Sequence, residues 1–260
     1  MRITPQTLRG MKRRGEKIAV LTAYDFPTAK LVDEAGIPVI LVGDSLGMVV
    51  LGYENTLPVT MEEMLHHVRA VARAKPRALV VADMPYRTYE MPDQTVANAR
   101  RFIEAGADAV KLEGGEEVLP QVRAVIGAGV PVLGHIGLLP QSIEKYGGYK
   151  MQGRTAESAG RLVQDAKLLE AAGVFAVVIE CVVASVAKKV TEAVSVPTIG
   201  IGAGRHCDGQ VLVVNDMLGL FSHFVPKHVK QYANLADQMR EAFARYKREV
   251  ESGSFPDGGG

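Results

Sequence analysis

The stretch Val39-Ile40-Leu41-Val42-Gly43-Asp44-Ser45-Leu46-Gly47-Met48 decides the fold. Four apolar residues run without a polar break, and glycine, aspartate and serine follow at once. A continuous apolar run closed by turn residues is a strand buried on both faces. Its end lifts one carboxylate and one hydroxyl out of the sheet, with Gly43 allowing close backbone approach. Asp44 also has an everyday alternative role, as N-cap of whatever follows.

The same arrangement recurs along the chain. Apolar runs at 17–23, 78–82, 109–112, 131–134, 175–179, 197–201 and 210–214 read as strands. Between them lie helical patterns with clear start signals. Thr4 precedes Pro5, Thr60 has Glu63 at the capping-box position, and Thr155 has Ser158 in place of the acid. Residues 46–58 read as a long loop, 137–154 as a second, and 229–250 as the closing helix. Eight strand-then-helix units in 260 residues mean an α/β fold with a closed parallel (β/α)8 TIM barrel. We expect one domain over 1–260, with a short N-terminal helix, a C-terminal helix and a flexible tail from about 252 to 260. An open doubly wound sheet fits less well, because no glycine-rich turn follows the first strand.

Composition narrows the class of function. The net charge of +1 gives no electrostatic reason to expect nucleic acid or an anionic membrane as partner. No apolar run approaches the roughly 18 residues of a membrane span, and the first 16 residues lack the apolar core of a signal peptide. Cys181 and Cys207 are far apart and in no metal-ligand spacing, as expected of free thiols in the cytoplasm.

In such a barrel the active site is built from the C-terminal strand ends. Those ends carry Asp25, Asp44 with Ser45, Asp83, Lys111 with Glu113, His135 and Glu180. Carboxylates crowded into one mouth repel, and a divalent cation relieves that cost; hard oxygen donors select Mg²⁺ or a similar ion. Lys111 and Glu113 are two apart, so both face the lumen. Lys111 is either a Schiff-base nucleophile or a fixed cation for a substrate carboxylate, and the crowd of acids favours the cation. Its structural alternative is an ion pair with Glu113 or Asp83. Glu180 closes a wholly apolar strand, a setting that suits a general base. His135 is a candidate base, ligand or hydrogen-bond donor. Residues 200–204 (GIGAG) read either as a phosphate-binding turn or as close backbone packing.

Several motifs then carry a resemblance: LTAYD at 21–25, VGDSLGM at 42–48, DMPY at 83–86 and KLEGG at 111–115, followed by GHIGLLPQS at 134–142, IEC at 179–181 and GIGAGRHCDGQVLV at 200–213. Together, from Ile3 to about Tyr232, they resemble the ketopantoate hydroxymethyltransferases. This chain departs from the family in Val182-Val183-Ala184, where a proline is usual, and by an aliphatic at 137–139. The resemblance implies a (β/α)8 barrel assembled as a homodecamer. It places metal ligands on Asp44 and Asp83, with Glu113 ligating directly or through water. It places substrate contacts on Asp44, Ser45, Asp83 and Lys111, and the general base on Glu180; His135 stays a second-tier candidate outside what the resemblance assigns. It implies transfer from the co-substrate 5,10-methylenetetrahydrofolate to 3-methyl-2-oxobutanoate, through a Mg²⁺-stabilised enolate, giving 2-dehydropantoate for pantothenate and coenzyme A synthesis. The loop at 137–154, with Tyr146 and Tyr149, is then a lid or a wall of the folate site. Three competing readings are weighed beside it. A Mg²⁺-dependent C–C lyase or mutase of the phosphoenolpyruvate mutase and isocitrate lyase type would need a nucleophilic loop cysteine, and the loops show no such motif. A Schiff-base aldolase would use Lys111. An inert scaffold would not keep acids at every strand end.

Overall fold

The computed structural model describes residues 2–142, 148, 150–220 and 226–256. The chain divides into two compact units, Met1–Leu212 and Val213–Gly260. In the first, parallel strands β1 (Ile18–Thr22), β2 (Val39–Val42), β3 (Leu79–Asp83), β4 (Ala109–Glu113), β5 (Val132–Gly137), β6 (Ala176–Glu180), β7 (Thr198–Ile201) and β8 (Gly209–Leu212) pair in chain order. β1 pairs with β8, so the barrel closes.

Strand parity explains what fills it. Val39 and Leu41, Leu79 and Val81, Ala109, Leu133, and Ala176 with Val178 form one buried apolar cluster inside the ring. Each strand alternates faces, so the next lumen positions are Asp83, Lys111 and Glu113, His135, and Glu180. Apolar residues therefore pack the lower barrel, and polar ones take over toward the C-terminal end. Helix α1 (Pro5–Arg13) contributes Leu8 to the same cluster, and Ile3 and Met11 pack against it. It is pinned by Lys12, whose Nζ donates to the carbonyls of Thr191, Val194 and Val196 at 2.9–3.1 Å and pairs with Asp208 at 2.9 Å.

The remaining helices of this unit are α2 (Phe26–Glu34), α3 (Leu46–Val49), α4 (Met61–Ala72), α5 (Pro92–Glu104), α6 (Leu119–Gly127), α7 (Ala156–Ala172) and α8 (Ala184–Ala193). The expected caps are present: Thr60 with Glu63 and Thr155 with Ser158 form reciprocal boxes. The second unit holds α9 (Val214–Met217) and α10 (Leu235–Glu251). On α10, Met239, Phe243, Tyr246 and Val250 are exposed. No helix among the described residues is long and apolar enough to cross a membrane.

Three expectations need correction. Residues 46–58 are not all loop, because α3 forms directly after Ser45. The last helix starts at Leu235, not at 229. β5 runs on through Gly134 to Gly137 instead of stopping at 134. Glycine is required at its end: Gly137 has φ +103°, and a Cβ there would lie 2.3 Å from the Glu180 carbonyl oxygen.

Candidate active site

Sheet register assembles the site. Asp83 stands beside Lys111 across β3–β4, Glu113 beside His135 across β4–β5, and Gly137 beside Glu180 across β5–β6. The side chains form a continuous line of charge. Lys111 Nζ donates to Asp83 Oδ1 at 2.5 Å and lies 3.6 Å from Glu113 Oε1. His135 lies between two acids, Nδ1 3.4 Å from Glu113 Oε1 and Nε2 3.3 Å from Glu180 Oε2. The Asp44 backbone N–H approaches Asp83 Oδ2 at 3.4 Å. Asp44, Asp83, Lys111, Glu113 and His135 are all buried, whereas the Glu180 side chain keeps 16% of its surface exposed.

Burial sets the electrostatics. It pushes the Asp44 carboxyl well above the usual range, and the charges of Asp83 and Glu113 push it further. Burial also raises Asp83, against the opposing pull of Lys111. Glu113 is lowered: burial opposes ionisation there, but Lys111 and His135 outweigh it. Lys111 is raised despite burial, because Asp83, Glu113 and Asp44 surround it. These acids favour the ammonium form, which disfavours the Schiff-base reading. Burial and Lys111 both lower His135, yet Glu113 and Glu180 carry it up to about 9.

The residues fit a hard divalent cation. Four carboxylates face one ammonium and one imidazole, so the fully ionised set keeps excess negative charge even with His135 protonated. Glu113 Oε1 is buried without a hydrogen-bonding partner among the described residues. Among the described residues no group of three His, Cys, Asp or Glu side chains is placed to hold a metal ion by itself. Mg²⁺ typically takes one or two carboxylates and completes its shell with water and substrate oxygens.

Two readings at the strand ends change. Asp25 is not part of the site. It is exposed and caps α2, accepting from the Thr28 N–H at 2.8 Å and the Thr28 hydroxyl at 3.0 Å. Asp44, the other candidate cap, is not the N-cap of α3, a position that falls on Ser45; its carboxylate accepts from Gln141 Nε2 at 2.9 Å. Gly43 has a local use as well, since a Cβ there would lie 2.9 Å from Ser45 Oγ. That hydroxyl bonds Tyr24 Oη at 2.9 Å. In the GIGAG turn, a Cβ on Gly200 would meet Cys207 Sγ at 3.0 Å, in keeping with close packing. Gln141, Tyr89 and Tyr24 escaped the sequence reading. Tyr146 and Tyr149 lie outside the described residues.

A profile of the ketopantoate hydroxymethyltransferases matches residues 2–258. The chain belongs to that family. It is 58% identical over 259 residues to the 3-methyl-2-oxobutanoate hydroxymethyltransferase of Moorella thermoacetica, covering 98% of this chain and 96% of that one. The protein of the same name from Syntrophus aciditrophicus is 56% identical over 258 residues, covering 98% and 95%. The chain is therefore an enzyme, a hydroxymethyl transferase. Among solved structures, phosphonopyruvate hydrolase in complex with oxalate and Mg²⁺ superposes with TM-score 0.65 at 17% identity, covering 95% of this chain and 88% of that one. 2,3-Dimethylmalate lyase, of the phosphoenolpyruvate mutase and isocitrate lyase superfamily, gives 0.61 at 16%, covering 96% and 89%. These likenesses show a shared barrel.

The cysteine after β6 bears on the lyase alternative. Cys181 is half-buried, and burial followed by the Glu180 charge raises its thiol to about 11. At about pH 8 only about one thiol in a thousand is then ionised, against about a quarter for an ordinary cysteine. Iodoacetamide should label native Cys181 on the order of 10²-fold more slowly than the unfolded chain. Peptide mapping after timed quenching reads this, and rapid labelling of the native protein would contradict it.

Proposed function

We propose that this enzyme transfers a hydroxymethyl group from 5,10-methylenetetrahydrofolate to C3 of 3-methyl-2-oxobutanoate, giving 2-dehydropantoate on the route to pantothenate and coenzyme A. The observation that carries the reading is the unbroken line Asp83–Lys111–Glu113–His135–Glu180, buried at one end and open at Glu180. Lys111 and Ser45 bind the substrate carboxylate, the ammonium as a fixed charge and the serine as a hydrogen-bond donor. Asp44 and Asp83 hold Mg²⁺, with Glu113 ligating directly or through water. When bound, the ion supplies Lewis acidity to the substrate's keto oxygen.

Glu180 takes the proton from C3. His135, 3.3 Å away, holds that carboxylate in place and is itself anchored by Glu113. The carbon thus made nucleophilic attacks the folate-borne methylene. A C–C bond forms to the methylene, both of its C–N bonds to the folate break, and water supplies the hydroxyl; the water's other proton and the proton taken from C3 go to the two nitrogens, leaving tetrahydrofolate. Every residue in this reading lies in Met1–Leu212. We also place the enzyme in the cytoplasm, where its two free thiols stay reduced. We propose a homodecamer, which would cover the exposed apolar residues of α10.

Incubation with both substrates and Mg²⁺ tests the activity. 2-Dehydropantoate, followed by mass spectrometry, should appear only when the 2-oxo acid and the folate are both present. Product formed without the folate, or none with both, would contradict the proposal.

A further inference from the structure

Gln141 lies against the site with every polar group of its side chain engaged. It sits in the single turn Pro140–Ser142 that follows β5, and it is 4% exposed. Its Nε2 donates to Asp44 Oδ2 at 2.9 Å and to the Met84 carbonyl at 2.9 Å. Its Oε1 accepts from the Tyr89 hydroxyl at 2.6 Å. Its backbone N–H donates to Glu113 Oε2 at 3.1 Å. One residue therefore holds two carboxylates that belong to different strand ends, 97 and 28 residues away in sequence.

The pattern fixes which way the amide faces. Two acceptors, a carboxylate and a carbonyl, require the NH₂ on their side, and the tyrosine hydroxyl meets the oxygen on the other. The Tyr89 hydroxyl meets that oxygen at 2.6 Å and donates to it. Nothing in this arrangement touches the reacting carbon. What it can do is aim Asp44 Oδ1 and Glu113 Oε1 outward by occupying their other oxygens.

We infer that Gln141, locked by Tyr89, is a positioning residue that orients Asp44 and Glu113 to receive the divalent cation and the 2-oxo acid. The inference rests on the metal-site reading above. Partners that orient metal ligands typically cost about 10- to 100-fold in metal affinity or activity when removed.

The test uses the full chain and Mg²⁺ alone, followed by calorimetry, and then steady-state turnover. Gln141→Met keeps the length and loses all three side-chain hydrogen bonds. It should bind Mg²⁺ about 10- to 100-fold more weakly, with kcat falling more than KM rises for the folate. Tyr89→Phe should show a smaller loss in the same direction, and the double variant should be no worse than Gln141→Met, since the two act as one unit. On an Asp44→Asn background, Gln141→Met should add far less than it does in the wild type. Should Gln141→Met fail to fold, Tyr89→Phe and its behaviour on the Asp44→Asn background decide. Wild-type Mg²⁺ affinity in both variants, or full additivity with Asp44→Asn, overturns the positioning role alone. Absence of Mg²⁺ binding by the wild type overturns the metal-site reading and this inference with it.

Discussion

Glu180→Gln abolishes exchange of the C3 proton of 3-methyl-2-oxobutanoate with deuterated water while leaving Mg²⁺ and the 2-oxo acid bound. The expected loss is roughly 10²- to 10⁴-fold, the usual contribution of a positioned general base. Glutamine keeps the shape of the side chain and its reach to His135 Nε2, 3.3 Å from the native carboxylate, but it cannot accept a proton from carbon. The proposed metal and carboxylate sites keep their own partners, Lys111 with Asp83 and Asp44 with Gln141. Proton NMR of the isopropyl methine reads exchange directly, without folate and without turnover. Exchange at the wild-type rate would remove Glu180 from the role of base.

The second large effect is on Asp83. Asp83→Ala removes a proposed ligand and at the same time strips Lys111 of its 2.5 Å partner. Mg²⁺ affinity should fall by more than about 100-fold, beyond what loss of an outer partner costs. Breaking a buried ion pair by deleting one member leaves the other charge uncompensated, at about 3–5 kcal/mol. Lys111 keeps the Glu113 carboxylate as a charge partner at 3.6 Å, so the lower end of that range is expected. Calorimetric titration and chemical denaturation separate the two effects. Tight Mg²⁺ binding by the variant would take Asp83 out of the ligand set.

Most of the barrel was legible because its strands are buried on both faces and carry their destination in parity. Leu79-Val81-Asp83 and Ala176-Val178-Glu180 each run two apolar lumen residues into one acid, and the register sets Asp83 beside Lys111 and Glu180 beside Gly137. The misreadings have local causes. Asp25 looks like the other strand ends, and only Thr28 three residues on marks it as a cap. Gly134 and Gly137 read as breakers, but in β5 they allow close approach to Leu169 and to the Glu180 backbone. Four-residue α3 contains Gly47 and is too short to show a period. Gln141 and Tyr89 were beyond reach for a different reason. Their partners lie 28 to 97 residues away, and no spacing rule joins a glutamine after β5 to an aspartate after β2.

The most direct test of the central claim is C3 proton exchange in deuterated water, with the intact protein and 3-methyl-2-oxobutanoate, before and after chelation of divalent cations. If the buried carboxylates hold a cation beside the partly exposed Glu180, exchange is rapid with Mg²⁺, near background after chelation, and restored on adding Mg²⁺ back. Exchange that persists undiminished in the metal-free protein would contradict the account.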